Sequence, residues 1–212
     1  CRLTRIRLAP RARSAILSRC VTYDFATCPD RRGTGSLKWE RYPGRDVLPM
    51  WVADMDFLSA PEITAALEER AAHGVFGYTI PPESTVEAAL TYLAEKHGVS
   101  ASAGQIVWFP GLVPALNVAC RAFVQPGEEV LTCTPVYPPF LSAPEFAGVG
   151  LTKIDLAEED GVWDIDFEAL EKAVTPRTKL FILCNPHNPV GRAFPESTIA
   201  RLAEFCRKHG LV

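Results

Sequence analysis

Between Gln105 and Gly210, short apolar runs alternate with longer segments whose apolar residues recur at helical spacing. This alternation limits the fold more than any other feature of the chain. It predicts strands at Gln105–Phe109, Glu129–Cys133, Val149–Asp155 and Lys179–Cys184. It predicts helices from Gly111 to about Phe123, at Pro138–Phe146, at Asp166–Ala173 with Asp166 as its cap, and at Glu196–Lys208, ended by Gly210. Strands separated by helices cannot pair as hairpins, so neighbours become parallel and the helices cover both faces. The fold class is therefore α/β, a mainly parallel sheet flanked by helices. Leu211-Val212 resumes an apolar run where the rhythm calls for another strand, so the chain reads as stopping mid-fold.

Upstream of this region two helices are expected. Ser59-Ala60-Pro61-Glu62 offers a cap, an early Pro and an acid at the positive helix end, and Gly74 closes that helix. The second runs from Glu83 to His97, with Val86, Leu90 and Leu93 on one face and Gly98 as its stop. Tyr23 to Pro61 is rich in Gly, Pro and charge around one island, LPMWVADMDF, and reads as loop and extended arm. The first twenty residues hold six arginines and no acid, the pattern of a disordered extension, translated upstream sequence or a transit peptide. The expected division is a basic extension at 1–21, an arm at 22–60 that forms part of a small domain, and an incomplete large domain at 61–212.

With 212 residues, 48% of them hydrophobic, the chain can bury a sizeable core. A net charge of −3 gives no global argument for nucleic acid or a membrane surface as partner. No apolar run approaches the ~20 residues that span a bilayer. Seven cysteines form no C-x-x-C pair, and Cys120, Cys133, Cys184 and Cys206 sit inside apolar segments. They read as small buried hydrophobes of a protein in the reducing cytoplasm, with no metal site.

Two junctions carry chemistry. Trp108-Phe109-Pro110-Gly111-Leu112-Val113-Pro114-Ala115 passes from apolar run through Gly into a helix. A helix N-terminus presents unpaired N–H groups to an anion, and Gly lets a phosphate come close. A tight turn would look the same. The second junction, Cys184-Asn185-Pro186-His187-Asn188-Pro189-Val190-Gly191, follows an apolar strand. Its two Asn-Pro steps force an extended turn at the end of a parallel strand, where ligands of such sheets gather. A structural turn is the competing reading.

NPHNPVG resembles the N-P-x-N-P-[TV]-G motif of fold-type I pyridoxal-phosphate (PLP) enzymes, the aminotransferase class I/II superfamily. PGLVPALN is similar to that family's phosphate-cup turn and TPVYPPF to its segment with the ring-stacking aromatic. GVFGYT resembles the segment whose Tyr reaches the neighbouring subunit's phosphate. LPMWVADMDF, followed by a helix opening on Pro-Glu-Ile, resembles more narrowly the C–S β-lyase branch, the MalY/PatB-like cystathionine β-lyases. The likeness is collinear from about Val21 to Val212.

The resemblance implies pyridoxal 5'-phosphate as cofactor. It implies that Gly111 and the N–H groups of Leu112 and Val113 hold the phosphate and that Tyr137 stacks on the pyridine ring. Asn188 would meet the phenolic oxygen, and Tyr78 the phosphate across a homodimer interface. Trp51, Ala53 and Asp54 would lie near the substrate, with a plain turn or cap acid as the other reading of Asp54. The family also needs a lysine that binds the cofactor and moves the α-proton, and an acid for the pyridine nitrogen. Lys208, the only lysine beyond Asn188, sits in Arg207-Lys208-His209 and reads as a cation at a helix end. The implied catalytic lysine is then absent from this chain.

The activity implied for the parent is cleavage of cystathionine or other cysteine S-conjugates to thiol, pyruvate and ammonia, with this chain alone inactive. An aminotransferase of the same superfamily is the nearest alternative. A non-catalytic effector-binding module is the alternative of another class.

Overall fold

The computed structural model describes residues 23–212, so the basic extension expected at 1–21 lies outside the described residues. The described chain divides into two compact units, with the boundary between Ile80 and Pro81. The first helix falls within the N-terminal of these units. The helix α1 (Pro61–His73) has no buried residue, and the Tyr23 hydroxyl reaches its Glu62 carboxylate at 3.5 Å. Ala60, not Ser59, occupies its N-cap, and no side chain caps the helix among the described residues. Pro at the first helical position suits an end whose N–H would lack a partner anyway.

The second unit carries the sheet. Its elements follow in the order α2 (Glu83–His97), α3 (Leu112–Phe123), β1 (Glu129–Thr134), α4 (Pro139–Ala147), β2 (Gly150–Asp155), β3 (Ala157–Glu159), β4 (Val162–Asp164), α5 (Phe167–Ala173), β5 (Thr178–Ile182) and α6 (Glu196–His209). Three strands pair in parallel in the order β2-β1-β5. Val212 extends the ladder beside β5, its N–H donating to Lys179 at 3.0 Å and its carbonyl accepting from Phe181 at 2.9 Å. Val212 thus lies beside β5 where the rhythm predicts a strand to begin, while the Leu211 N–H still closes α6 on Cys206 at 2.8 Å.

Strand alternation divides the core into two faces. Leu131, Cys133 and Phe181 face one way and pack with Phe167, Leu170, Leu202 and Phe205 from α5 and α6. Val130, Leu180 and Ile182 face the other way, against Cys120 of α3 and Phe140 and Ala143 of α4. Thr132 is fully buried in this sheet, and its hydroxyl is satisfied by the Ile182 carbonyl at 2.9 Å. At the strands' N-terminal edge, Glu129 pairs with Gly150. A Cβ on Gly150 would lie 2.9 Å from that of Glu129, so only glycine fits.

Two segments depart from the expectation. Gln105–Phe109 is not a strand: it starts in a short 3-10 turn and continues extended but unpaired, with Val107 exposed. A strand is defined by its ladder partner, and none runs beside it among the described residues. Conversely, β3 and β4 form an antiparallel hairpin where the sequence analysis assigned nothing. Its turn is Asp160-Gly161, both at positive φ, as a two-residue hairpin turn requires.

Candidate functional site

The segment carrying Tyr137 and the NPHNPVG turn lie at one edge of the sheet. β1 and β5 are adjacent and parallel, so the segments leaving them emerge side by side at their C-terminal ends. Tyr137 follows β1 and is 43% exposed, its ring unpartnered in the core. Asn188 follows β5 in the NPHNPVG turn and is exposed, and its side-chain amide makes no hydrogen bond among the described residues.

The rest of that turn is tied down. The Asn185 side-chain oxygen accepts from the Phe194 N–H at 3.1 Å, and the Cys184 thiol receives the Asn188 N–H at 3.4 Å. His187 is 1% exposed, and its Nε2 lies 2.8 Å from the Pro135 carbonyl in the Tyr137 segment. The backbone of His187 pairs with Arg192. These ties hold the turn and leave the exposed Asn188 amide without a partner among the described residues; the buried His187 Nδ1 and Arg192 Nε also lack one there.

α3 covers one sheet face, where Leu116 and Cys120 share a core with Val136 and Cys184. It enters β1 through a short turn at 124–128, so it runs against the strand direction and aims its N-terminus at the strands' C-terminal edge. There Gly111 is the N-cap with φ +130°, a conformation that favours glycine. Nothing crowds it: a Cβ would meet only Pro114 Cδ at 3.7 Å, so backbone angle and not space selects the residue. No side chain caps the helix among the described residues, and Leu112 is 75% exposed. The N–H groups of Leu112 and Val113 therefore stand free for an anion.

These features fit PLP: an open helix end for the phosphate, an aromatic face for the ring and a free amide for its oxygen.

Tyr78, Trp51, Ala53 and Asp54 belong to the N-terminal unit. Tyr78 and Ala53 are exposed, and the Trp51 ring lies under the Arg41 guanidinium at 5.7 Å. The Asp54 carboxylate pairs with Arg31 at 2.6 Å.

Asp56 was not among the residues expected from sequence. Its carboxylate accepts from Lys38 at 2.6 Å, Trp39 Nε1 at 2.7 Å and Arg31 at 2.8 Å. Lys38 also donates to the Asp54 carbonyl at 3.0 Å. The Lys38 and Trp39 hydrogen bonds hold the Asp56 carboxyl well below the ordinary carboxylate range, and Arg31 adds to this against the opposing effect of burial. The loop from Trp51 to Phe57 is thus clamped by ions. The D-M-D spacing was the available signal, but the partners lie far away in sequence.

Lys208 donates to both Glu171 oxygens, at 2.8 and 2.9 Å, at the end of α6 beside His209. It sits in a surface ion pair. Among the described residues no group of His, Cys, Asp and Glu could hold a metal ion, and no helix is long and apolar enough to cross a membrane.

The family model for aminotransferase class I and II matches residues 45–212. The chain is 44% identical to cystathionine beta-lyase PatB of Bacillus subtilis, over 89% of this chain and 50% of that protein. It is 33% identical to a cystathionine beta-lyase of Corynebacterium glutamicum, over 87% of this chain and 48% of the relative. Its fold is similar to that of cystalysin from Treponema denticola, a structure containing pyridoxal 5'-phosphate. The TM-score is 0.83 at 34% identity, over 91% of this chain and 50% of that one. The chain spans about half the length of these relatives.

Proposed function

The chain belongs to the aminotransferase class I and II family, and from that premise we propose that it is the N-terminal part of a PLP-dependent C–S β-lyase. The substrate would be cystathionine or another cysteine S-conjugate, and the products thiol, pyruvate and ammonia. The observation that carries this reading is the convergence of the Tyr137 segment and the Asn188 turn on one sheet edge, together with 44% identity to a cystathionine beta-lyase.

In this reading the amides of Leu112 and Val113, opened by Gly111, bind the cofactor phosphate through the helix-end dipole. The Tyr137 ring packs on the pyridine and excludes water from that face. The Asn188 amide donates to the phenolic oxygen and orients the ring. Tyr78 serves the phosphate of a neighbouring subunit in a homodimer. Trp51, Ala53 and Asp54 lie on a loop near the substrate, with Arg31 holding Asp54 and Asp56 in place. When bound, the cofactor supplies an electron sink for negative charge at the substrate α-carbon. The lysine that moves the α-proton, and the acid facing the pyridine nitrogen, come from the part of the protein outside this chain. A cytoplasmic location fits the free thiols of Cys28, Cys120, Cys133, Cys184 and Cys206.

The test is turnover of L-cystathionine by the full-length protein loaded with PLP. Release of free thiol and pyruvate without added keto acid is the expected result. Amino transfer that requires a keto acid, with no thiol released, would make the parent an aminotransferase. Specific effector binding with neither reaction would favour a sensor role.

A further inference from the structure

We propose that His187 is the positioning residue that locks the Asn188 turn to the Tyr137 segment, so that one buried hydrogen bond sets both cofactor-facing side chains; this rests on the PLP reading above. His187 Nε2 meets the Pro135 carbonyl at 2.8 Å across 52 residues of sequence. A carbonyl can only accept, so Nε2 carries a proton, and Nδ1 is the ring's other polar atom. That Nδ1 is buried and has no partner among the described residues.

An unsatisfied buried polar atom is a cost that an apolar side chain of similar size would avoid. The edge-to-face packing on Phe194, at 5.6 Å between centroids, is available to any flat or apolar group. What the imidazole alone provides is the bond to Pro135. The backbone ties reinforce the point: the His187 N–H donates to Arg192 at 2.6 Å, and its carbonyl accepts from Gly191 at 2.8 Å. His187 is therefore fixed within its own turn and reaches out of it once, to the neighbouring segment. Asn188 is its next residue, and Tyr137 is two residues beyond Pro135, so a single contact governs their separation.

The experiment uses the full-length protein with His187→Leu, which keeps volume but not the donor, and His187→Gln, which keeps a donor near the Nε2 position. Hydrogen exchange of the cofactor-free protein is followed in peptides covering residues 134–138 and 184–192. PLP dissociation constants and visible circular dichroism of the bound cofactor are then measured.

His187→Leu should raise exchange in both segments together and weaken PLP by about 10-fold, with an altered dichroic band. His187→Gln should recover most of both effects. Should the Leu variant not fold, His187→Asn, polar but too short to reach Pro135, takes its place. Faster exchange confined to 184–192, or Gln behaving no better than Leu, would reduce His187 to a packing residue and overturn the proposal. Failure of the wild-type protein to bind PLP would sink the cofactor reading instead, while the exchange data would still decide whether His187 couples the two segments.

Discussion

Single residues differ in how openly the sequence announces them. Gly111, Tyr137 and Asn188 could be singled out because each sits in a short contiguous motif that resembles the family's, and the resemblance implies their roles. The clamp on Asp56 could not, because its partners stand 17 to 25 residues away and only the folded loop brings them together. That clamp has a pH signature. The folded carboxyl is held below its unfolded value, so the pairing stabilises above about pH 4, the ordinary Asp range, and is lost as pH falls through and below it. Denaturant unfolding of wild type and Asp56→Asn across a pH series should show a gap that is full at pH 7 and narrows below about pH 4; a pH-independent gap would contradict this. The cysteines offer a second check. Burial pushes the Cys133 thiol up to about 12, whereas Cys28 is exposed. An aromatic disulfide reagent at pH 8 should therefore modify Cys28 in the folded protein and reach Cys120, Cys133 and Cys184 only on unfolding. Rapid labelling of Cys133 in the native state would count against the core described above.

At the scale of elements, periodicity found nearly every helix, and it failed where pairing decides the outcome. Gln105–Phe109 has strand composition but no neighbour to bond with among the described residues, and composition cannot supply one. The β3-β4 hairpin was written in Asp160-Gly161 between short runs, a turn signal overshadowed by the strand-helix rhythm. The α5 cap was read correctly: the Asp166 side chain accepts from the N–H groups of Glu168 and Ala169. Asp166→Ala should cost about 1 kcal/mol of stability by chemical denaturation, and a change within error would show the cap to be redundant. Gly150→Ala should cost more, about 1–3 kcal/mol, because its Cβ would press on Glu129 where β1 and β2 pair. A neutral effect would mean that the strand edge relaxes freely.

For the whole molecule, the α/β class and the edge where the candidate site lies followed from the strand-helix rhythm and from ligands gathering at the C-terminal ends of parallel strands. The contribution of other surfaces did not, since Tyr78, Phe76, Met50, Met55 and Leu112 are exposed and nothing in the sequence says what covers them. Exposed apolar area of this kind favours association. The 212-residue chain expressed alone should therefore sediment as aggregates, and a soluble monomer that unfolds cooperatively would contradict that. The central claim is that the Asn188 turn and the Tyr137 segment form one face of a PLP site. Its most direct test is a PLP titration of the full-length protein and of its Asn188→Ala variant, followed by the visible absorbance of the bound cofactor. Saturable binding to wild type is expected, and in the variant a shifted band with affinity weakened by about 10-fold. An identical spectrum and affinity in the two proteins would contradict it.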